Sequence, residues 1–272
     1  MRALIRGLDS TEVAALRRIA QRTRALRAEI LAGLADEVSW SSFHLPRILD
    51  EIDRALLRWD GDLAQAAGDA SVAGLEAGAE VGVAFSTAAG AGEVGRGVLS
   101  VSSDLIDAVR ATSAELVTNV RTAVRTRIAR EVRGATLGLQ RPFEAMRAVS
   151  KVVPATRMKG RLVGPMARAE VIVRTETNRA FSIAQQKAAE RLADTVPEML
   201  REWVATNDSR TRPSHRRAHG QIRAVDKPFL VGGASLMHPR DMSGPAREVI
   251  QCRCLALPKM PEWDAAPSLD RK

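Results

Sequence analysis

Three of the four histidines (His215, His219 and His238) and both cysteines fall within the 40 residues from 215 to 254. Imidazole nitrogens and thiolate sulfurs together make up the ligand set of a structural zinc site. The spacing is not that of a known finger, because Cys252-Arg253-Cys254 is tighter than the usual pair separated by two to four residues. A disulfide between residues i and i+2 is badly strained, so the two thiols are either free or metal-bound. The stretch Glu248 to Leu257, EVIQCRCLAL, reads as a strand. Alternate strand residues project to one side, which puts both thiols on the face carrying Ile250. Two readings follow. In one, His215, Cys252 and Cys254 hold a structural zinc, with a fourth ligand from Asp208, His219 or His238. In the other, the cysteines are small core residues alternating with polar Gln251 and Arg253, and no cofactor is needed.

Two further blocks carry polar chemistry. Arg174-Thr175-Glu176-Thr177-Asn178-Arg179 sits inside an Ala-rich helical stretch, where Arg174 and Asn178, like Thr175 and Arg179, are i,i+4 neighbours. Asp208-Ser209-Arg210-Thr211-Arg212-Pro213-Ser214-His215 reads as a turn at Asp208, a helix opened by Pro213 and a stop at Gly220. That helix would have two turns, with His215 and His219 on one face. Arg174, Glu176, Asp208, Arg212 and His215 then form a structural network locking helix to loop. The alternative is a metal-dependent hydrolase, a nuclease, with Glu176 or Asp208 as general base and His215 as metal ligand or acid. No recognised catalytic spacing such as His-Glu-x2-His accompanies these residue types.

The elements that must position these blocks are mostly helical. Asp9 with Glu12 is an N-cap signature ahead of apolar Val13, Leu16, Ile19, Leu26, Ile30 and Leu34. Pro46 can open a second helix through Leu49, Ile52, Leu56 and Leu63. Residues 61–98 are rich in Ala and Gly, a composition that suits either close-packed helices or a flexible stretch. Leu105, Val109, Leu116, Val120, Val124, Ile128 and Val132 mark one long amphipathic helix from Ser103 to about Arg133. A short helix from Pro142 to Val153, a breaker-rich link from Pro154 to Pro165 and a helix to Ala193 complete the series. After Pro197 the texture changes, with a strand at Met199 to Ala205 and a long polar stretch before the final strand. The expected fold is mainly α: a helical region over 1–160, a small α+β domain over 161–258 and a mobile tail over 259–272.

Composition narrows the function classes. The chain is 45% hydrophobic and 27% charged, as a folded protein should be, and two cysteines exclude a disulfide-stapled secreted scaffold. The opening residues, MRALIRGLDSTE, read as no signal peptide, and the Ala- and Gly-rich window Val81 to Gly92 is too short to span a bilayer. Together these features lead to the expectation of a soluble protein made in the cytoplasm, with no membrane partner. The formal charge is +9, and residues 121–174 hold thirteen basic against three acidic side chains. Such a local excess suits a polyanion. Arg121, Arg125, Arg127, Arg130 and Arg133 are the candidate DNA contacts, and a solvated helix face is the competing reading. Aromatic residues are 3% of the chain and Tyr is absent, so any contact is expected at phosphates of double-stranded DNA, without sequence preference.

The three blocks in order resemble a known family. VIVRTETNRAFSIAQQKAA, then a Trp and DSRTRPSHRRAHG, then Pro228-Phe229, His238-Pro239 and GPAREVIQCRC, are similar to the Mu-F-type head morphogenesis domain of tailed phages. The likeness runs from about Ala167 to Pro258. Gln251 stands where the family usually has Asn, and His219 where an Asp is common, which weakens His219 as a ligand. The resemblance implies a non-enzymatic minor capsid protein, low in copy, that joins the procapsid through the portal and lies inside the virion head near it. Its implied partners are portal and capsid proteins, with packaged DNA as a third.

Overall fold

The computed structural model describes residues 2–89, 101–153, 164–196, 198–206 and 208–261. Five long or medium helices come first: α1 (Arg2–Ala35), α2 (Leu45–Ala88), α3 (Ser103–Thr136), α4 (Pro142–Val152) and α5 (Pro165–Ala193). Short elements follow: β1 (Leu200–Val204), α6 (Pro213–Ala218), β2 (Ile222–Ala224), β3 (Phe229–Val231), β4 (Ala234–Leu236), α7 (Ala246–Val249) and β5 (Leu255–Lys259). The mainly α architecture with a small α+β C-terminal region is the one expected.

Two compact units are interleaved along the chain. A helical unit takes Ser10–Ala70 and Ala108–Arg174; a sheet-containing unit takes Met1–Asp9, Ser71–Asp107 and Thr175–Lys272. In the helical unit the predicted stripes become the core: Leu16, Ile19, Leu26 and Ile30 of α1 meet Ile52, Leu56 and Leu63 of α2, and Val120, Val124, Ile128 and Val132 of α3. Val13, expected with them, is 43% exposed. Buried Trp59 donates its indole N–H to Thr23 Oγ1 at 3.1 Å, and the Thr23 hydroxyl donates to the Ile19 carbonyl at 2.8 Å. The polar end of the largest core side chain is thereby satisfied inside the bundle.

The Ala- and Gly-rich stretch is ordered helix up to Ala88; its remainder, 90–98, lies outside the described residues. Its small residues have a packing reason. In the sheet-containing unit a Cβ on Gly74 would run into the Thr177 carbonyl, and one on Gly78 into the Phe181 carbonyl, both on α5. Asp9 is no N-cap, because α1 already begins at Arg2. Leu8 is buried against Val81 and Phe181, and that packing extends the helix beyond the local capping signal.

The sheet runs β2-β1-β5, all antiparallel, with Arg201 opposite Pro258 and Trp203 opposite Ala256. β1 alternates in burial, and Arg201 and Trp203 form its inner face. β3 and β4 form a separate hairpin around Gly232 and Gly233, whose φ values of 60° and 83° suit a two-glycine turn. The strand expected over Glu248 to Leu257 is the main correction. Residues Ala246–Val249 are a helical turn opened after Pro245, Gln251 adopts φ 54°, and ladder pairing begins only at Leu255. A left-handed residue reverses the chain locally, so the two cysteines lie in a loop before the strand. The link over 154–163 and the tail over 262–272 lie outside the described residues.

Candidate functional site

Loss of the strand does not separate the thiols. Cys254 Sγ lies 3.2 Å from His215 Nδ1 and Cys252 Sγ lies 3.5 Å from the same nitrogen. All three side chains are buried, and their ligand-capable atoms fall within 4.8 Å of one another. The opposite ring nitrogen, Nε2, is 3.1 Å from Glu248 Oε2, which also accepts the Ser214 hydroxyl at 2.8 Å. The Cys254 amide donates to Cys252 Sγ at 3.4 Å. Trp203 packs edge-on to the His215 ring at 5.9 Å between centroids.

The loop that carries the thiols is held from several sides. Arg240, fully buried, donates to the carbonyls of Cys252 at 2.7 Å and Cys254 at 3.0 Å, and to Ser182 Oγ at 2.8 Å. Arg240 itself sits at φ 68°, and its carbonyl accepts Arg179 Nε at 2.9 Å. Arg179 in turn grips both oxygens of Glu176 at 2.5 and 2.6 Å. From the outer side, Arg253 forks onto both oxygens of Asp208 at 2.6 Å, while Asp208 also accepts the Arg210 amide and the Thr211 hydroxyl. Arg212 donates to the Ile250 carbonyl at 2.6 Å, and Thr175 Oγ1 accepts the Gln251 amide at 3.2 Å.

The five residues expected to form one network therefore take separate routes. Glu176 acts through Arg179 and Arg240, Asp208 through Arg253, Arg212 through the Ile250 carbonyl and His215 through the thiols. What these four share is a destination, the segment 250–254. Arg174 belongs to the helical unit and pairs with Glu170 at 3.1 Å. The carboxylates of Glu176 and Asp208 are thus each engaged by an arginine and do not converge with His215 on a common metal position. His219 is not beside His215: α6 ends at Ala218, and His219 Nδ1 accepts the Ala205 amide at 3.2 Å. His238 Nδ1 is 3.0 Å from the Pro239 carbonyl, and burial pushes its pKa below the ordinary imidazole value.

Electrostatics follow from these contacts. Burial pushes the Glu176 carboxyl above its usual range, with the Arg179 guanidinium pulling the other way. Burial acts the same way on Glu248, but the Ser214 and His215 hydrogen bonds win and hold it below the usual range. The Arg253 fork keeps Asp208 far below ordinary carboxylates. Of the two thiols, Cys252 ionises first, favoured by its contact with Cys254 and by His215 and Arg240 against burial. The hydrogen bond between the two thiols, with burial and the Cys252 charge behind it, pushes Cys254 up.

Sequence reasoning missed Glu248, Arg240 and Arg201, and it read Arg179 only as a helix neighbour of Thr175. Arg201 lies under the Phe229 ring at 5.0 Å and donates to the carbonyls of Ala224 at 3.1 Å and Lys227 at 2.8 Å; burial lowers its pKa to about 10. The available signal for Glu248 was the Pro245-Ala246-Arg247-Glu248 order, which favours a helical turn over a strand.

A second candidate surface lies in the helical unit. Arg121 pairs with Asp60 and Arg125 forks onto Asp53 at 2.7 and 2.8 Å, so two of the five arginines singled out are answered by α2 acids. Arg127, Arg130 and Arg133 are exposed, three residues apart, and Arg130 also contacts Glu131 at 2.8 Å. The pairings Arg22–Asp62, Arg58–Glu29, Arg121–Asp60 and Arg125–Asp53 set α1 and α3 antiparallel to α2. The α1–α2 loop and the α3–α4 turn therefore lie at the same end of the bundle. That end exposes Val38, Phe43, Leu139 and Phe143, each more than 70% accessible. Among the described residues no helix is long and apolar enough to cross a membrane.

The family described as Phage Mu protein F like protein matches residues 126–257, from the second half of α3 into β5. The chain is similar to Minor head protein GP7 of Bacillus phage SPP1, 33% identical over 102 residues, covering 37% of this chain and 32% of that protein. It is also similar to NAD(+)--arginine ADP-ribosyltransferase EFV of Enterococcus faecalis, 36% identical over 86 residues, covering 32% of this chain and 18% of that protein. The chain thus spans about a fifth to a third of the curated relatives it matches. No solved structure matches it.

Proposed function

We propose that this protein, whose residues 126–257 match the Phage Mu protein F like family, is a minor head protein of a tailed phage that docks on the portal and meets packaged DNA. The observation that carries the reading is that family match, joined by the likeness to the SPP1 minor head protein. In this role the segment is a non-catalytic structural component of the virion head. The polar residues around the 250–254 segment support it, because the Glu176 and Asp208 carboxylates are spent on arginines rather than directed at a common substrate. The likeness to the ADP-ribosyltransferase spans 18% of that protein and supports a shared segment rather than a shared activity.

Docking is assigned to the end of the helical unit that exposes Val38, Phe43, Leu139 and Phe143, since large exposed apolar side chains gathered at one end suit an interaction site. Co-expression with the portal protein of the same phage should recover both proteins together. Phe43→Ser with Phe143→Ser should weaken that recovery without unfolding the chain, because both rings are exposed. Undiminished recovery with the double variant would place docking elsewhere.

DNA contact is assigned to Arg127, Arg130 and Arg133. Binding to double-stranded DNA should ignore sequence and weaken with salt, by about 0.9 log units per log unit of salt for each phosphate neutralised. The triple Gln variant should show a shallower salt slope. If the parent chain does not bind at low salt, this row of arginines is a solvated face and nothing more.

A further inference from the structure

We propose that His215 Nδ1, Cys252 Sγ and Cys254 Sγ bind a thiophilic divalent metal ion, zinc first among them, within the sheet-containing unit. The inference stands on the geometry of these side chains and is independent of any role in the phage head.

Distances come first. With tetrahedral zinc, thiolate sulfur at 2.3 Å and imidazole nitrogen near 2.0–2.1 Å place the two ligand atoms about 3.6 Å apart. The two measured sulfur–nitrogen separations are 3.2 and 3.5 Å. Both sulfurs flank one ring nitrogen, and a lone imidazole nitrogen can take only one thiol proton. A cation between the three atoms satisfies all of them at once. A disulfide does not compete, since two cysteines separated by one residue close it only with strain.

The surroundings match the outer shell that a metal site needs. Glu248 accepts from Nε2, which fixes the tautomer that leaves the Nδ1 lone pair facing the sulfurs. The Cys254 amide points at Cys252 Sγ. The buried Trp203 indole N–H has no hydrogen-bond partner among the described residues, and its ring packs edge-on to His215. Both cysteine carbonyls are pinned by Arg240, so the ligand-bearing loop is fixed before any ion arrives. An amide donor suits sulfur as an acceptor, and thiolates with imidazole favour zinc over hard cations such as magnesium or calcium. The fourth position of the tetrahedron falls to a light atom, because Asp208, His219 and His238 are each committed elsewhere.

The test uses the full chain purified without chelator. Elemental analysis should find close to one zinc per chain, and X-ray absorption should show two sulfur and two lighter neighbours around it. Cobalt(II) added to stripped protein should give the intense near-ultraviolet band of thiolate-to-metal charge transfer, and zinc chloride should abolish it. Cys252→Ser with Cys254→Ser should remove both signals. Should that variant fail to fold, Glu248→Gln carries the test: it keeps all three ligands and should weaken zinc binding about 10–100-fold in a chelator competition. The proposal is overturned by a folded, stripped wild-type chain whose cobalt spectrum lacks the charge-transfer band. It is equally overturned if zinc binds the parent and a folded Cys252→Ser, Cys254→Ser variant with the same affinity.

Discussion

Glu248 Oε2 stands 3.1 Å from His215 Nε2, and this one contact orients a ring whose other nitrogen faces two thiols. The carboxylate comes from a four-residue helix and the imidazole from a six-residue one, 33 positions apart. A charged acceptor is worth more than a neutral one at a buried donor. Glu248→Gln should therefore lower unfolding free energy by about 1 kcal/mol, read by urea denaturation. A loss no larger than that of an exposed substitution such as Glu115→Gln would mean the contact does not hold the ring.

Gly232 tests the same contact from the hairpin side. A Cβ there would strike the Glu248 carboxylate, and φ 60° is unfavourable for any side chain. Gly232→Ala should destabilise by more than about 1 kcal/mol through backbone strain and displacement of Glu248. Gly138→Ala shares a positive φ with open space around it, so it measures the strain alone. Equal losses at the two positions would deny any coupling to Glu248.

Acid should loosen the 250–254 segment through Asp208. Its folded pKa is depressed by the Arg253 fork, so its contribution is present above the unfolded value of about 3.9 and is lost as pH falls toward the folded one. Wild-type stability should fall with decreasing pH below about 4, and Asp208→Asn should flatten that limb. Thermal melts at pH 3 and 6 provide the comparison. A limb of unchanged slope in the variant would assign the acid sensitivity to other carboxylates.

The glycines of α1 and α2 divide by what faces them. Gly74→Ala meets the backbone of α5 and should cost about 1–3 kcal/mol, as overpacking does. Gly33→Ala, inside α1 with nothing near its Cβ position, should be neutral or stabilising by about 0.5–1 kcal/mol. Circular dichroism melts of the two variants should therefore shift in opposite directions, or leave Gly33→Ala unmoved.

Helices were legible because their signals are local and repeated. The stripe Val120, Val124, Ile128 and Val132 needs only a period near 3.6 to be read, and α3, α4 and α5 fall within a few residues of expectation. The thiol loop was not legible, because EVIQCRCLAL has the composition of a strand and its course is decided by Gln251 and Arg240 at positive φ. The hairpin over Phe229–Leu236 could have been read from its Gly-Gly pair. Buried arginines are a different matter. Arg201 and Arg240 look like surface residues until the carbonyls they satisfy, from Ala224 to Cys254, are gathered by tertiary structure.

The interleaving of the two units sets an order of birth. The helical unit is complete in sequence once Arg174 has been synthesised, whereas the sheet-containing unit still lacks the thiol loop and the strand that pairs with β1. Vectorial synthesis lets early segments collapse before late ones exist. The helical bundle can therefore form on the ribosome while Gly74 and Gly78 wait for the middle of α5, and β1 has an open edge until Leu255–Lys259 emerges. An assembling partner that recognises the bundle end would meet it on nascent chains, before the other unit has closed.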